Sequence, residues 1–304
     1  ACLTQGVLAA QGVLAASLGQ PMPSRKRRHA SNGDSPPPRC EWWSHGGQGG
    51  SIDDLADRGS LMLANILGLP LADFNREYWL KKPYLKQLTA AQRAALPRSH
   101  PARMLPMDDV QALLRRRTPR PTRYTHDVDV TRYVNGRRAA LSEGSGEIDA
   151  DEVWDAFESR GYSIRIVHPQ QWHQAAYELC ACLQEHFGFP VGCSAYLTPA
   201  SAQGFPPHYD DVEVFVLQLQ GSKRWRLYER PDAASAPAAD VTTEFPRAAL
   251  GAHTTEFTLS AGDVLYLPRG VVHEAVTVPP RAAAAAAAGE GGEGGEGGGG
   301  GDGG

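Results

Sequence analysis

From Val191 onward the chain is written in short apolar segments, and that run constrains the fold more than any other feature of the sequence. Segments 191–197, 208–220, 223–228, 254–259, 263–267 and 271–278 each read as strands, parted by turn signals such as Gln220-Gly221-Ser222 and Pro268-Arg269-Gly270. Upstream the pattern changes to helices. Thr89-Ala90-Ala91-Gln92 is a capping-box pattern that opens a short helix ended by Pro97. Asp108 is placed to cap a helix through Leu114, and Asp149 to cap Ala150–Arg160 with Gly161 as its stop. Within Gln171–Phe187, the residues Trp172, Ala176, Leu179, Cys180, Leu183 and Phe187 recur at helical spacing. His173 and His186 fall off that stripe and are expected to face solvent. Helices first and strands afterwards make an α+β chain.

The longest strand segment opens with His208-Tyr209-Asp210, and His273 lies in the last one. Residues i and i+2 of a strand share a face, so His208 and Asp210 can reach one ion, with His273 supplying a third ligand from another strand. Two histidines and one carboxylate leaving open positions are the ligand set of non-haem Fe(II) oxygenases. An H-x-D triplet alone is a common accident; the apolar run behind this one and the late histidine give it weight. Lys223 starts the strand after Gly221, which is expected to fold back beside the His208 strand. A lysine ammonium on an inward face holds a remote carboxylate as a point charge, as the far end of 2-oxoglutarate requires. The bland reading of Lys223 is a solvated strand end. His126 and Asp129, spaced H-x-x-D, point to opposite strand faces and read as surface polar groups.

The stretch from Tyr196-Leu197-Thr198-Pro199 through Gly204-Phe205-Pro206-Pro207-His208-Tyr209-Asp210-Asp211 to Leu217-Gln218-Leu219 resembles the core of the JmjC ribosomal oxygenases. These are the Mina-type histidyl hydroxylases and their nucleolar relatives. Trp225-Arg226-Leu227-Tyr228, the segment from Gly262 to Gly270, and His273 continue the likeness, and Arg76–Pro83 and Val130–Gly136 resemble upstream landmarks. The resemblance spans residues 52–280. It implies a double-stranded β-helix (jelly-roll, cupin/JmjC type) over 191–280, with helical and mixed structure over 52–190. It also implies Fe(II), 2-oxoglutarate and O2, and hydroxylation of a histidine in a large-subunit ribosomal protein. Histone lysine demethylation by the same iron chemistry is the alternative within enzymes, and a non-catalytic cupin-like remnant the alternative outside them.

Carried over residue by residue, His208, Asp210 and His273 match the iron ligands and Lys223 the 2-oxoglutarate-binding lysine. Tyr196 matches an active-site tyrosine, and Ser194 stands where an asparagine is usual near the cosubstrate. After His273 the family continues with another core strand, a dimerisation region and a winged-helix domain. Here Pro279-Pro280-Arg281 leads into seven alanines and a Gly/Glu stretch to residue 304. The last core strand is therefore expected to be missing, with an open edge beside the His273 strand.

Net charge is −4, and Glu290, Glu293, Glu296 and Asp302 account for all of it, leaving 30 acids against 30 bases over residues 1–281. A neutral core argues against indiscriminate nucleic-acid binding. Arg93–Arg138 holds eleven arginines against four aspartates and reads as a solvated surface, with an RNA- or ribosome-facing patch as the sharper option. Residues 1–51 and 281–304 are expected to be disordered, the first a basic, Gly/Pro-rich leader. In that leader Gln5–Ala10 repeats as Gln11–Ala16, too short to span a bilayer and followed rather than preceded by basic residues. Arg25-Lys26-Arg27-Arg28 has the form of a nuclear or nucleolar address. Five cysteines without a C-x-x-C pair read as reduced thiols.

Overall fold

The computed structural model describes residues 7–14, 52–97, 100–231 and 242–279. A first strand, β1 (Val7–Leu14), precedes the mixed half of the chain. That half holds α1 (Ile52–Leu67), α2 (Leu71–Glu77), β2 (Tyr84–Lys86), α3 (Ala90–Ala94) and α4 (Met107–Arg115). It continues through β3 (Val128–Val134), β4 (Arg137–Ala140), α5 (Ala150–Ser159), β5 (Ser163–Val167) and α6 (Gln174–Phe187). Strands then take over: β6 (Val191–Thr198), β7 (His208–Tyr209), β8 (Glu213–Gln218), β9 (Ser222–Tyr228), β10 (Thr243–Glu244), β11 (Thr255–Ser260), β12 (Val264–Leu267) and β13 (Val272–Thr277).

Helix ends follow local chemistry. Thr89 and Gln92 form both bonds of the capping box at α3, and the Asp149 carboxylate accepts from the Asp151 and Glu152 amides at α5. At α4 the cap falls on Pro106 instead of Asp108, which lies inside the first turn where its charge meets the positive end of the helix. His173 and His186 do not simply face solvent. The His173 ring accepts from the Ala176 amide at the start of α6 and its Nε2 lies 3.1 Å from the Asp109 carboxylate, while His186 hydrogen-bonds Ser60.

The strands form two antiparallel sheets, one ordered β2-β12-β8-β1-β6-β5-β3-β4 and the other β10-β7-β13-β9-β11. From β6 to β13 the chain winds back and forth between them, which is a double-stranded β-helix of the cupin type. Segment 208–220 is not one strand. The chain crosses between sheets after Tyr209, so His208 belongs to the five-stranded sheet, β8 to the eight-stranded one, and Asp210 to the crossing. Nor does the Lys223 strand fold back on β8: Gly221, at φ +61°, directs β9 into the other sheet between β13 and β11. The burial of β8 explains both corrections. All six of its residues are buried, so both of its faces are covered, whereas a two-stranded surface hairpin leaves one face wet.

Two expectations about the ends also change. Val7–Leu14, expected in a disordered leader, is a strand between β6 and β8. The edge beside His273 is not open, because β13 has β7 on one side and β9 on the other. Among the described residues no strand follows β13.

The alternation of β8 divides the core. Val214 and Val216 point between the sheets, against Trp225, Leu227, Leu259, Leu265 and Leu267. Phe215 and Leu217 point the other way, into a larger cluster with Leu63, Phe74, Val110, Leu183 and Tyr266. Among the described residues no helix is long and apolar enough to cross a membrane.

Candidate metal centre and cosubstrate pocket

His208 and His273 are direct partners in the β7–β13 ladder, so their side chains project to one face, with ring centroids 4.4 Å apart. Asp210 reaches the same point from the crossing that follows β7. Its carboxylate oxygens lie 3.9 Å from His208 Nε2 and 3.8 Å from His273 Nε2. One ligand atom from each residue falls within 4.8 Å of the others.

The hydrogen bonds around the rings decide which nitrogens are free. His208 Nδ1 lies 2.9 Å from the Pro206 carbonyl and His273 Nδ1 lies 3.0 Å from the Val271 carbonyl. A carbonyl only accepts, so each Nδ1 donates and each Nε2 of a neutral ring presents its lone pair to the shared point. Burial, reinforced by the neighbouring His208, pushes the His273 pKa down to about 4, so this ring is neutral at physiological pH. His273 Nε2 and Asp210 Oδ2 are buried without a hydrogen-bond partner. Two lone-pair donors left unsatisfied at one point, with a third beside them, fit a divalent cation of the kind that imidazole and carboxylate bind together.

A cavity of about 300 Å³ opens over these residues between the sheets. Lys223 lines it and is itself buried, and burial alone pushes its pKa down to about 8. In the β9–β13 ladder Lys223 lies opposite Thr277 and Leu227 opposite His273, so Lys223 shares the face of His273 but starts four residues away, roughly 13 Å of strand. That separation suits a small two-ended molecule held at one end by the lysine and at the other by the His/Asp/His cluster. Tyr196 forms part of the opposite wall, edge-on to Phe205 at 5.6 Å, and burial pushes its hydroxyl up to about 12. Ser194 does not line the cavity. It lies buried two residues along the same face of β6 from Tyr196.

Sequence reasoning passed over three charged residues of the cavity. Arg138 was hidden in an arginine-rich segment that reads as surface; its guanidinium covers the Phe205 ring at 4.6 Å and pairs with Glu244 at 2.9 Å. Arg165 pairs with Asp129 at 3.2 Å beside the Tyr196 ring, so Asp129 is a half-buried partner of a cavity arginine and not a surface residue. An arginine in the apolar run of β5 was the available signal. Glu274, buried beside His273, accepts from Tyr228, Gln203 and Arg247. Thr242 and Glu244, beside and within β10, also line the cavity.

Fold and site together define a cupin-fold protein with a two-histidine, one-carboxylate centre. Residues 165–288 match the JmjC domain family. A bifunctional lysine-specific demethylase and histidyl-hydroxylase NO66 of Dictyostelium discoideum is 44% identical over 155 residues, 51% of this chain and 30% of the relative. The protein of the same name from Drosophila grimshawi is 36% identical over 231 residues, 76% of this chain and 30% of the relative. The match thus spans about a third of the length of these relatives. A solved structure of E. coli YcfD aligns at TM-score 0.49 and 18% identity, covering 69% of this chain and 50% of that one.

Proposed function

We propose that this chain is an Fe(II)- and 2-oxoglutarate-dependent dioxygenase that hydroxylates a protein side chain, with a histidine of a large-subunit ribosomal protein as the target class. The observation that carries the reading is the pair of buried, unpartnered donor atoms, His273 Nε2 and Asp210 Oδ2, converging with His208 at the floor of the cavity. In this reading His208, Asp210 and His273 hold the metal and Lys223 holds the far carboxylate of 2-oxoglutarate. Iron so held would supply oxygen activation coupled to decarboxylation of 2-oxoglutarate to succinate and CO2. Tyr196, Phe205 and Trp225 line the cavity and keep bulk water from the reacting end. The Arg138–Glu244 pair is the partly exposed part of the lining, and in this reading a protein segment enters beside it. The relatives' names combine lysine demethylation with histidyl hydroxylation, which is the chemistry proposed here. We further assign the chain to the nucleus or nucleolus, on the basic cluster Arg25–Arg28, which lies outside the described residues.

The test pairs calorimetric Fe(II) titration under anaerobic conditions with succinate formation, offering a histidine-bearing ribosomal peptide and a methyl-lysine histone peptide in separate arms. His208→Ala and Asp210→Ala are expected to lose both metal binding and succinate. Unchanged iron affinity in both variants overturns the site assignment, and turnover confined to the methyl-lysine peptide overturns the target class.

A further inference from the structure

In chain order the roll alternates between its sheets: β6 in the eight-stranded sheet, β7 in the other, β8 back in the first, β9 and β11 in the second, β12 in the first, β13 in the second. The next crossing after β13 leads to the eight-stranded sheet. The place it would take is the one between β6 and β8, which run parallel to each other and share no ladder. That place is filled by β1, antiparallel to both. Val7 to Leu14 pair with Thr198 to Val191 on one side, and Ala9 to Leu14 with Gln218 to Glu213 on the other. Without β1, β6 and β8 would stand roughly 9–10 Å apart, two strand spacings, each with an unpaired edge. The sheet would divide into β2-β12-β8 and β6-β5-β3-β4.

We infer that Val7–Leu14 is the closing strand of the roll, a segment from upstream of the helices inserted where the strand after β13 would lie. The sequence after β13 fits the substitution. Pro279-Pro280 after β13 offers two residues without an amide donor, followed by alanines and glycines that form strands poorly. The consequence reaches the cavity. Ala9 pairs with Tyr196 and Val7 with Thr198, so the wall carrying these two cavity residues is joined to β8 and β12 through β1. This inference does not depend on the chemistry proposed above, since its readouts are cross-linking and amide exchange.

Direct antiparallel partners have Cα atoms about 4.5–5.5 Å apart, within disulfide range, so Leu14→Cys with Val191→Cys reports the pairing in the full chain. Mild oxidation is expected to give an intramolecular 14–191 cross-link in a monomer, identified by peptide mass spectrometry. Separately, Gln11→Pro removes a donor in the middle of β1, and hydrogen exchange of the β6 and β8 amides is expected to accelerate at least about tenfold. Adding the peptide of residues 5–16 in trans is expected to reverse that acceleration. No cross-link, or one that joins two copies, overturns the intrachain assignment. Unaltered exchange in Gln11→Pro overturns the structural role, and the cross-link arm keeps the inference testable if that variant does not fold.

Discussion

Lys223 shows how the cavity tunes a single residue. Its ammonium is buried on the inner face of β9, and burial is the sole cause of a pKa lowered to about 8, so no described acid offsets the cost. The sign of the linkage follows. Below pH 8 both folded and unfolded chains hold the proton and the penalty is full. Between about 8 and the ordinary 10.5 the unfolded chain binds more protons, so this group makes stability rise with pH. In the proposed role, cosubstrate binding would run the other way, because a carboxylate needs the charged lysine. Affinity for 2-oxoglutarate, titrated calorimetrically with metal present, is expected to fall about tenfold from pH 7 to pH 9 as the charged fraction of the free site drops. Lys223→Ala is expected to bind weakly and to lose that step; an unchanged pH profile in the variant shows that another cation holds the carboxylate. Lys223 was legible in the sequence as an inward residue after a glycine turn. Arg138 and Arg165 were not, because a cation earns its place in a wall through partners distant in sequence, Glu244 for the first and Asp129 for the second.

At the scale of elements, residue periodicity revealed what each segment is but not which sheet receives it. The division of 208–220 into β7 and β8 carries no Gly or Pro at Asp210–Glu213 to mark it, and Gly221 suits a hairpin as well as a crossing. The helical half is joined to the roll by an aromatic cluster. Phe74 of α2 is fully buried, 5.0 Å from Tyr266 of β12 and 6.0 Å from Phe215 of β8, and Trp79 stacks on Tyr266 at 5.7 Å. Tyr266 in turn hydrogen-bonds the Leu80 amide and the buried Glu213 carboxylate, so this contact fixes both strands from behind. Phe74→Ala is expected to remove roughly 3–5 kcal/mol of stability in urea unfolding, since a cavity there has rigid strands on one side. A loss below about 1 kcal/mol shows that α2 rests on the sheet without supporting it.

For the molecule as a whole, the roll and the His/Asp/His centre could be anticipated from local sequence, whereas β1 could not. Val7–Leu14 lacks strict alternation, and its partners lie some 180 positions later, beyond the reach of any local pattern. The same whole-molecule view sets the last expectation. The centre places His273 Nε2 and Asp210 Oδ2 in the interior without partners, so the metal-free chain carries an unsatisfied site that a bound ion would relieve. A ligand that binds only the folded chain stabilises it by about 2.7 kcal/mol at a hundred times its Kd, which for a domain of this size is roughly 5–10 °C in Tm. Anaerobic Fe(II) is therefore expected to raise the melting temperature of the wild type by that amount. In Asp210→Ala the increment should vanish while the metal-free Tm stays at or above that of the wild type, because the substitution deletes a buried carboxylate oxygen that has nothing to bond. A metal-free Asp210→Ala melting well below the wild type shows instead that Asp210 is a structural group whose partner is protein.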